Sequence, residues 1–321
     1  MRTGALLSDL GNIEMEQEPT RCDLCANSDL VIERLVPDLR RGTKTTARFW
    51  KCRSCGLVFL WPQVEATQLE HAYQDAYVDA PSVRVTRNGR NRAFLRRAWR
   101  RYAGYRHLPR FSPGERFLDI GCATGYNVLE AVLDGADAYG IEPNRELAAR
   151  AQQAGLHVIP ATLCDAAFAS DFFDVIWMSQ VIEHVSHPLA ELREALRVLK
   201  PGGELHVLCP NGASAWRTWF GTAWQGWYVP FHTYVLTPET LTRYAAAAGF
   251  STVQLTARTP WDFFETSWRS RFPGGRLGRW VGNRHLRRLL ILLGSPTLRL
   301  IDVVTKGDCL QAVFRKSLRC P

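Results

Sequence analysis

The segment 117–125 constrains the fold more than any other part of the chain. It reads Phe-Leu-Asp-Ile-Gly-Cys-Ala-Thr-Gly, an apolar run followed by a turn that holds Gly121 and Gly125. The run is typical of a short buried strand, and a helical pattern begins at about Tyr126. Glycine has no Cβ, so the backbone of such a turn can approach a ligand closely. The dinucleotide fingerprint G-x-G-x-x-G is not met, so this segment alone indicates a nucleotide-type site only weakly.

Strands and helices alternate after this turn, which favours a parallel α/β sheet. The predicted elements are a helix at 127–133, a strand at 138–141, a helix at 144–154, strands at 156–159 and 173–178, a helix at 187–198 and a strand at 204–208. Open α/β sheets bind ligands at the carboxyl ends of their strands. Glu142 lies at such an end, about twenty residues after the glycine turn, where a carboxylate can accept the hydrogen bonds of a ribose diol.

Four of the nine cysteines have the spacing of a metal site. They form two C-x-x-C pairs, Cys22 with Cys25 and Cys52 with Cys55. Two such knuckles close a tetrahedral zinc site that leaves no open position for a substrate. We therefore expect a structural Zn²⁺ that serves folding. Disulfide bonds are the weaker alternative in a cytosolic chain.

Charge limits the classes of partner. The formal net charge is +9 and arginine supplies nearly all of it, so polyanions and acidic membranes are candidate partners, although biased base composition explains the arginines equally well. Residues 84–110 contain many arginines, no acid and an apolar stripe. This pattern predicts a basic amphipathic helix that is either a solvated face or a contact for phosphate, nucleic acid or an anionic membrane.

No secretory signal follows Met1, and no apolar run reaches the length of a membrane span. We expect a cytoplasmic protein, with peripheral contact at the inner face of the membrane as an alternative.

Proline and glycine residues divide the chain into three predicted parts. These are a tail and zinc ribbon at 1–62, a basic helical connector at 63–112 and a catalytic domain at 113–321. Within the last part, the aromatic segment 210–236 either forms a lid or stacking surface for a substrate or packs over the sheet. The insertion 258–307 combines arginines with aromatic residues, which suits an interfacial surface, capture of an anionic substrate, or solvated helices that cap the sheet.

Several segments together resemble a class I S-adenosylmethionine-dependent methyltransferase. The segments that carry this resemblance are 119–125, 142–143, 172–176, 182–184 and 199–203. It covers roughly residues 112–256, and the ribbon resembles the N-terminal module of a bacterial subgroup associated with methylation of sugars, polysaccharides and secondary metabolites. The fold it implies is a Rossmann-like sheet of seven strands with a small four-cysteine zinc ribbon and helical insertions.

The resemblance also implies a binding site for S-adenosylmethionine. The residues that it assigns to the cofactor are Asp119, Gly121, Cys122 and Gly125 around the methionine part, Glu142 and Pro143 at the ribose, Leu163 and Cys164 at the adenine, and Ser179 and Gln180 beneath the sulfonium. For Leu163 and Cys164 an ordinary loop is the alternative.

The candidate catalytic residues are Glu183, His184 and His232. A hydroxyl acceptor needs a base that removes its proton, and either histidine could serve or could be purely structural. Some related methyltransferases bind a divalent metal through E-x-x-E-H at this place. Here Gln180 replaces the first carboxylate, so we expect no catalytic metal.

These features predict methyl transfer to a small molecule or glycan by in-line displacement, with a sugar, nucleotide-sugar or lipid-linked sugar as acceptor. One alternative is an RNA methyltransferase, which the ribbon, the charge and the aromatic residues would also suit. The sequence 209–211 lacks the N-P-P-[YFW] type of motif that is associated with amino-methylation of bases, which is a mild argument against the RNA alternative. Another alternative is a catalytically silent binding protein that keeps only the fold.

Overall fold

The computed structural model describes residues 18–38, 46–63, 83, 98–105, 108–273 and 284–318. Most of the predicted basic connector, the tail before Glu18 and part of the predicted insertion therefore lie outside the described residues. Among the described residues, no helix combines the length and hydropathy that a membrane span requires.

The strands of the described residues are numbered in chain order. They are β1 (Leu30–Pro37), β2 (Thr46–Cys52), β3 (Val58–Leu60), β4 (Arg116–Ile120), β5 (Asp137–Ile141), β6 (His157–Ile159), β7 (Phe173–Ser179), β8 (Leu199–Pro210), β9 (Tyr234–Val235), β10 (Phe250–Arg258) and β11 (Cys309–Lys316). The α-helices are α1 (Tyr126–Asp134), α2 (Arg145–Gln153), α3 (Pro188–Val198), α4 (Ala215–Phe220), α5 (Pro238–Ala248), α6 (Trp261–Arg271) and α7 (Arg284–Thr305).

A seven-stranded sheet forms the larger layer, with the order β10-β11-β8-β7-β4-β5-β6. The strands from β6 to β8 in this order run parallel, and β11 is antiparallel to both of its neighbours. Phe117 and Leu118 of β4 are fully buried, because a central parallel strand is covered on both faces. The predicted Rossmann-like α/β fold is confirmed.

Local signals explain where the helices begin and end. α1 starts after Gly125 and ends at Gly135, and both glycines have the left-handed backbone conformation. α2 is capped by Asn144, whose side chain accepts hydrogen bonds from the backbone of Glu146 and Leu147. β8 begins earlier than the predicted strand, because Leu199 already pairs with Phe173 of β7.

A four-stranded sheet forms the smaller layer, with the order β1-β2-β3-β9. β1 to β3 come from the cysteine-bearing N-terminal part, whereas β9 lies just before α5. Tyr244 of α5 also donates a hydrogen bond of 2.7 Å to the carboxylate of Asp23, in the first cysteine pair. The cysteine-bearing sheet is therefore joined to the larger layer by backbone pairing and by a side-chain hydrogen bond.

Four large aromatic side chains of segment 210–236 belong to a buried cluster with residues of the four-stranded sheet and of helices α6 and α7. Trp224, Trp227 and Phe231 are buried, and the indole of Trp224 donates a hydrogen bond of 2.6 Å to the buried carboxylate of Asp308. The ring of Trp227 also lies 4.7 Å from that of Phe49 of β2, tilted by 55°. Of the two interpretations that the sequence allowed, packing accounts for these residues, while Trp219 remains half exposed.

Candidate functional site

A cavity of about 350 Å³ opens at the carboxyl edge of the parallel strands. Its walls come from the loops after β4, β5, β6 and β7 and from the start of α3. The lining residues are Ile120, Gly121, Ile141, Pro143, Ala161, Thr162, Leu163, Cys164, Val181, His184, Val185, Ser186, His187, Ala190 and Glu191. Its volume is within the range of small-molecule and cofactor sites, and its position is the one that an open α/β sheet uses for its ligand.

The glycine turn after β4 forms one wall of this cavity. Gly121 has a φ of +68°, and a Cβ added there would lie 2.7 Å from Cγ2 of Val181. Gly125 has a φ of +82°, and a Cβ there would lie 2.5 Å from Cδ1 of Leu156. Both positions therefore require glycine for backbone conformation and for space.

Glu142 connects the tip of β5 to this turn. Its Oε2 accepts a hydrogen bond of 2.9 Å from the backbone N–H of Ala123, and its Oε1 accepts one of 2.9 Å from the N–H of Asn144. Burial raises the pKa of the Glu142 carboxyl, and these two hydrogen bonds oppose that shift. Each oxygen keeps a second lone pair, so the carboxylate can still accept hydrogen bonds from the hydroxyls of a ligand.

Asp119 is a second buried carboxyl at this edge, at the end of β4. It is 1% exposed, and Asn127 of α1 donates a hydrogen bond of 3.2 Å to its Oδ2. Burial raises the pKa of Asp119 to about 8; the Asn127 hydrogen bond opposes this shift and the nearby charge of Glu142 adds to it. A cationic ligand group placed beside Asp119 would favour the ionised carboxylate.

The other predicted cofactor residues do not all reach the cavity. Leu163 and Cys164 line it, whereas the side chain of Cys122 packs against Gly140, where a Cβ would lie 2.7 Å from its Sγ. Gln180 has a φ of +57°, and its side-chain nitrogen lies 3.9 Å from the sulfur of Cys309 in β11. Ser179 ends β7 immediately before it.

Three predicted catalytic residues meet beside the cavity. Nδ1 of His184 lies 3.0 Å from the carbonyl oxygen of Phe231, and Nδ1 of His232 lies 2.8 Å from that of Gly226. These distances fit Nδ1–H donors, which leaves Nε2 as the basic nitrogen of each neutral ring. The two rings lie 4.6 Å apart. Burial lowers the pKa of His184 to about 4, while the carbonyl of Phe231 opposes this shift, so His184 is neutral at pH 7.

Glu183 completes this group. It is buried, and neither carboxyl oxygen has a hydrogen-bond partner within the described part of the chain. Burial raises its pKa to about 8, so the carboxyl is mainly protonated at pH 7. Glu183, His184 and His232 each offer an atom within 4.8 Å of the others. The set can therefore move a proton, and it also has the composition of a divalent-cation site.

The four paired cysteines converge beside the four-stranded sheet, where Cys52 ends β2. The sulfurs of Cys22 and Cys55 lie 3.5 Å apart, and those of Cys25 and Cys52 lie 3.6 Å apart. All four sulfurs lie within 4.8 Å of one another. Zn–S bonds of about 2.3 Å in a tetrahedron would separate the sulfurs by about 3.8 Å. The geometry therefore fits a four-thiolate zinc site.

Comparison with known proteins decides the family. The family model described as "Methyltransferase domain" matches residues 88–255, which is more than half of the 321 residues. This chain belongs to the class I S-adenosylmethionine-dependent methyltransferases.

Two curated relatives of this methyltransferase illustrate the range of its matches. A "Ubiquinone biosynthesis O-methyltransferase" of Cereibacter sphaeroides is 34% identical over 152 residues, which is 44% of this chain and 62% of the relative. A "tRNA U34 carboxymethyltransferase" of Hydrogenovibrio crunogenus is 32% identical over 103 residues, 29% of this chain and 31% of the relative. The match thus spans less than two-thirds of either relative.

Solved structures show the same fold. The crystal structure of the [4+2]-cyclase SpnF has a TM-score of 0.51 and 19% sequence identity, and the match covers 80% of this methyltransferase and 97% of that chain. At this identity the likeness concerns the fold alone.

Several residues of the site were missed by the sequence analysis. Val181, Val185 and Glu191 line the cavity, although the sequence pointed only to Gln180, Glu183 and His184 in this region. The sequence placed Asn127 in a helix but did not indicate its hydrogen bond to Asp119, because the turn between the two residues brings them together only in the fold. Its position two residues after Gly125, in the first turn of α1, was the available signal.

Replacement of Gly121 by alanine tests the geometry of the turn. We expect Gly121→Ala to lower the free energy of unfolding by about 1–3 kcal/mol, because Ala is strained at this φ and its Cβ would meet Val181. The affinity for S-adenosylmethionine should fall as well. Gly114→Ala is the matched control, since Gly114 has a φ of +80° with open space around its Cβ position. Denaturant unfolding and calorimetry measure both effects; equal cofactor affinity in both variants would contradict a role for this wall.

Proposed function

We propose that this methyltransferase transfers the methyl group of S-adenosylmethionine to a hydroxyl oxygen of a small molecule. The observation that carries the proposal is the pair of histidines, His184 and His232, whose Nδ1 atoms are held by backbone carbonyls beside the cavity. A hydroxyl is a weak nucleophile until a base accepts its proton. A neutral imidazole with a fixed Nε2 is suited to that step.

The residues around the cavity fit the cofactor. We assign Asp119, Gly121 and Gly125 to the methionine part, with the buried Asp119 carboxyl offsetting its positive charge. Glu142 and Pro143 border the ribose, and Leu163 and Cys164 border the adenine. When bound, S-adenosylmethionine supplies a methyl group already activated by its sulfonium.

The remaining chemistry belongs to this chain's own residues. The cavity walls exclude water and hold the acceptor oxygen in line with the methyl group, and orientation of this kind contributes about 7–11 kcal/mol to catalysis. We assign proton removal to Nε2 of His184 or His232. Glu183 lies against the pair as a neutral carboxyl, where its O–H can donate to Nε2 of the histidine that does not act as the base.

The acceptor class is a further part of the proposal. A sugar, nucleotide-sugar or lipid-linked sugar is favoured by the resemblance of the cysteine ribbon to the module of sugar-modifying methyltransferases. A phenolic acceptor is the second candidate, because the matched relatives include proteins named for O-methylation in ubiquinone biosynthesis. Transfer of labelled methyl from the cofactor to panels of sugars and of phenols distinguishes the two.

An RNA acceptor is a weaker candidate, supported by the net charge of +9 and by the relative named for tRNA modification. RNA that stays bound after a high-salt wash and accepts labelled methyl would favour it. A catalytically silent fold would be favoured if the unmodified protein failed to bind S-adenosylmethionine.

The four-cysteine cluster is proposed to bind a structural Zn²⁺. With four thiolate ligands the site has no open position, so its role is structural. The first cysteine pair contains Asp23, which contacts Tyr244, and the second pair connects the end of β2 to the start of β3. Because β3 pairs with β9, we further propose that the ion stabilises the segment that carries His232.

Replacement of Glu142 tests the cofactor assignment. We expect Glu142→Ala to weaken binding of S-adenosylmethionine at least tenfold, because it removes a ribose acceptor and the anchor of the glycine turn. Glu142→Gln should also weaken binding, since an NH₂ group would face one of two backbone N–H donors. Glu146→Gln, at an exposed site in α2, should bind normally. Calorimetry measures all three, and unchanged affinity in Glu142→Ala would refute the assignment.

Replacement of the histidines tests proton transfer. His184→Gln and His232→Gln should show which ring is the base: the loss of that ring lowers kcat by about 10²–10⁴-fold, with little change in cofactor affinity. His157→Gln, on the exposed end of β6, is the control. If both variants kept wild-type kcat with a hydroxyl acceptor, the proposal would fail.

The pH dependence of Glu183 gives an independent test. The unfolded carboxyl loses its proton near pH 4.5 and the folded one near pH 8, so in this window the folded state binds more protons. Stability should therefore fall as pH rises from about 5 to 8. Glu183→Gln mimics the neutral carboxyl and should flatten this part of the profile. Denaturant unfolding across pH measures it; a steeper decline in the variant would contradict the assigned protonation state.

Removal of the ribbon metal tests its structural role. Cys52→Ser should lose the zinc, lower Tm by several degrees and reduce acceptor turnover, because β3 and β9 lose their support. Cys164→Ser, at an exposed cysteine outside the cluster, should keep the zinc and Tm. Elemental analysis and calorimetry provide the readouts. If the wild-type protein contained a second equivalent of metal and His232→Gln lost it, the histidine group would be a cation site and would not carry out proton transfer.

A further inference from the structure

Helix α7 carries an apolar stripe whose side chains are exposed in the described part of the structure. Leu293, Leu300 and Val303 are 66%, 75% and 83% exposed. The exposed apolar side chains recur at intervals of three, four or seven residues, so they share one face of the helix. The stripe consists of Leu289, Leu292, Leu293, Leu300, Val303 and Val304.

The opposite face of α7 fixes the direction of this stripe. Ile291 and Leu298 are buried in a cluster that also contains Trp261 of α6. Gly294 lies so close to the indole of Trp261 that a Cβ there would be 2.4 Å from the ring. Rotation of the helix to bury the stripe would break this packing, so the packing of the opposite face keeps the stripe directed outward.

The charges around the stripe have one sign. Asp302 is the only acid in the sequence of α7, and its carboxylate accepts a hydrogen bond of 2.8 Å from the backbone of Thr259. Arg288 and Arg299 are exposed on the same helix. A second copy of this chain would bring these arginines together, whereas an anionic surface would neutralise them.

A cavity of about 240 Å³ adjoins the C-terminal end of the stripe. Val304 belongs to both, and the cavity is also lined by the cations Arg34, Arg217 and Lys306 with a single acid, Glu33. Glu33 forms an ion pair with Arg217. The lining therefore carries a net positive charge next to exposed apolar side chains, the combination that a phosphate head group above an acyl layer requires.

The dimensions of α7 suit a helix that lies on a bilayer. Its 22 residues extend about 33 Å, within the length range of interfacial amphipathic helices. Such helices bury one apolar face at the level of the head groups and carry basic residues beside it.

We propose that the exposed face of α7 and the adjoining cationic cavity form a docking surface for an anionic lipid bilayer. The leucines and valines of the stripe enter the interface, and the cations of the cavity and of α7 contact lipid phosphates. The surface lies outside the cofactor cavity, and the proposal does not depend on the proposed function.

Vesicle flotation with the full-length protein tests this surface. The probes are vesicles of phosphatidylcholine alone and of phosphatidylcholine mixed with phosphatidylglycerol. The wild type should float only with the mixed vesicles, and added salt should weaken binding. Leu293→Glu and Leu300→Glu should each lower the partition coefficient at least about tenfold. Arg288→Gln should lower it about fivefold.

Leu318→Glu is the matched control, because Leu318 is equally exposed but lies outside α7; it should bind as the wild type does. S-adenosylmethionine calorimetry and thermal unfolding should be unchanged in all variants, which separates a lost surface from a lost fold. Equal binding to neutral vesicles, or full binding by both leucine variants, would overturn the proposal. If millimolar inorganic phosphate released the protein completely from the vesicles, the cavity would be a site for free phosphate and the proposal would fail. If the wild type formed dimers that Leu293→Glu dissociated, the stripe would be an interface with a second copy of the chain and the proposal would fail.

Discussion

The central position of β4 is the constraint on which the rest of the site depends. Parallel pairing with β5 on one side and β7 on the other brings three loops to one edge, and the left-handed glycines of segment 121–125 let the chain turn there without covering it. The hydrogen bond from Ala123 to Glu142 then locks two of these loops together. Burial of Asp119 and Glu142 at this edge raises the pKa of both carboxyls, and a cationic group beside them would favour their ionised forms.

The histidine pair depends on a different interaction, the packing of the aromatic segment against the four-stranded sheet and helices α6 and α7. Trp224 donates a hydrogen bond to Asp308, Trp227 packs against Phe49, and the carbonyl of Gly226, between the two tryptophans in sequence, orients His232. The cysteine-bearing sheet and the catalytic candidates therefore share one core. A change in the ribbon can reach His232 through this core without any direct contact with the cofactor.

Sequence reasoning was most successful where a residue acts through the local conformation of its own segment. The glycine turn, the cap at Asn144 and the carboxylate at the tip of β5 are each specified within a few residues, and each has the predicted place. Sequence reasoning was less successful where a side chain can point in either of two directions. Gln180 follows β7 as expected, yet its side chain contacts Cys309 of β11, and the aromatic segment packs inside the protein where a lid was one of the two interpretations.

The sequence by itself determined the class of fold and the cysteine cluster, because periodicity, glycine positions and C-x-x-C spacing are local properties. It also indicated the family, through the resemblance that several short motif segments carry together. Tertiary structure alone decided that His184 and His232 meet. It also decided that the buried Glu183 lies against them with no hydrogen-bond partner for its carboxyl oxygens among the described residues. It also decided that the apolar residues of α7 face solvent on one side, since both sides of that helix carry leucine in the sequence. The physical reason is that burial and side-chain direction depend on what the rest of the chain packs against each residue, and no local pattern contains that information.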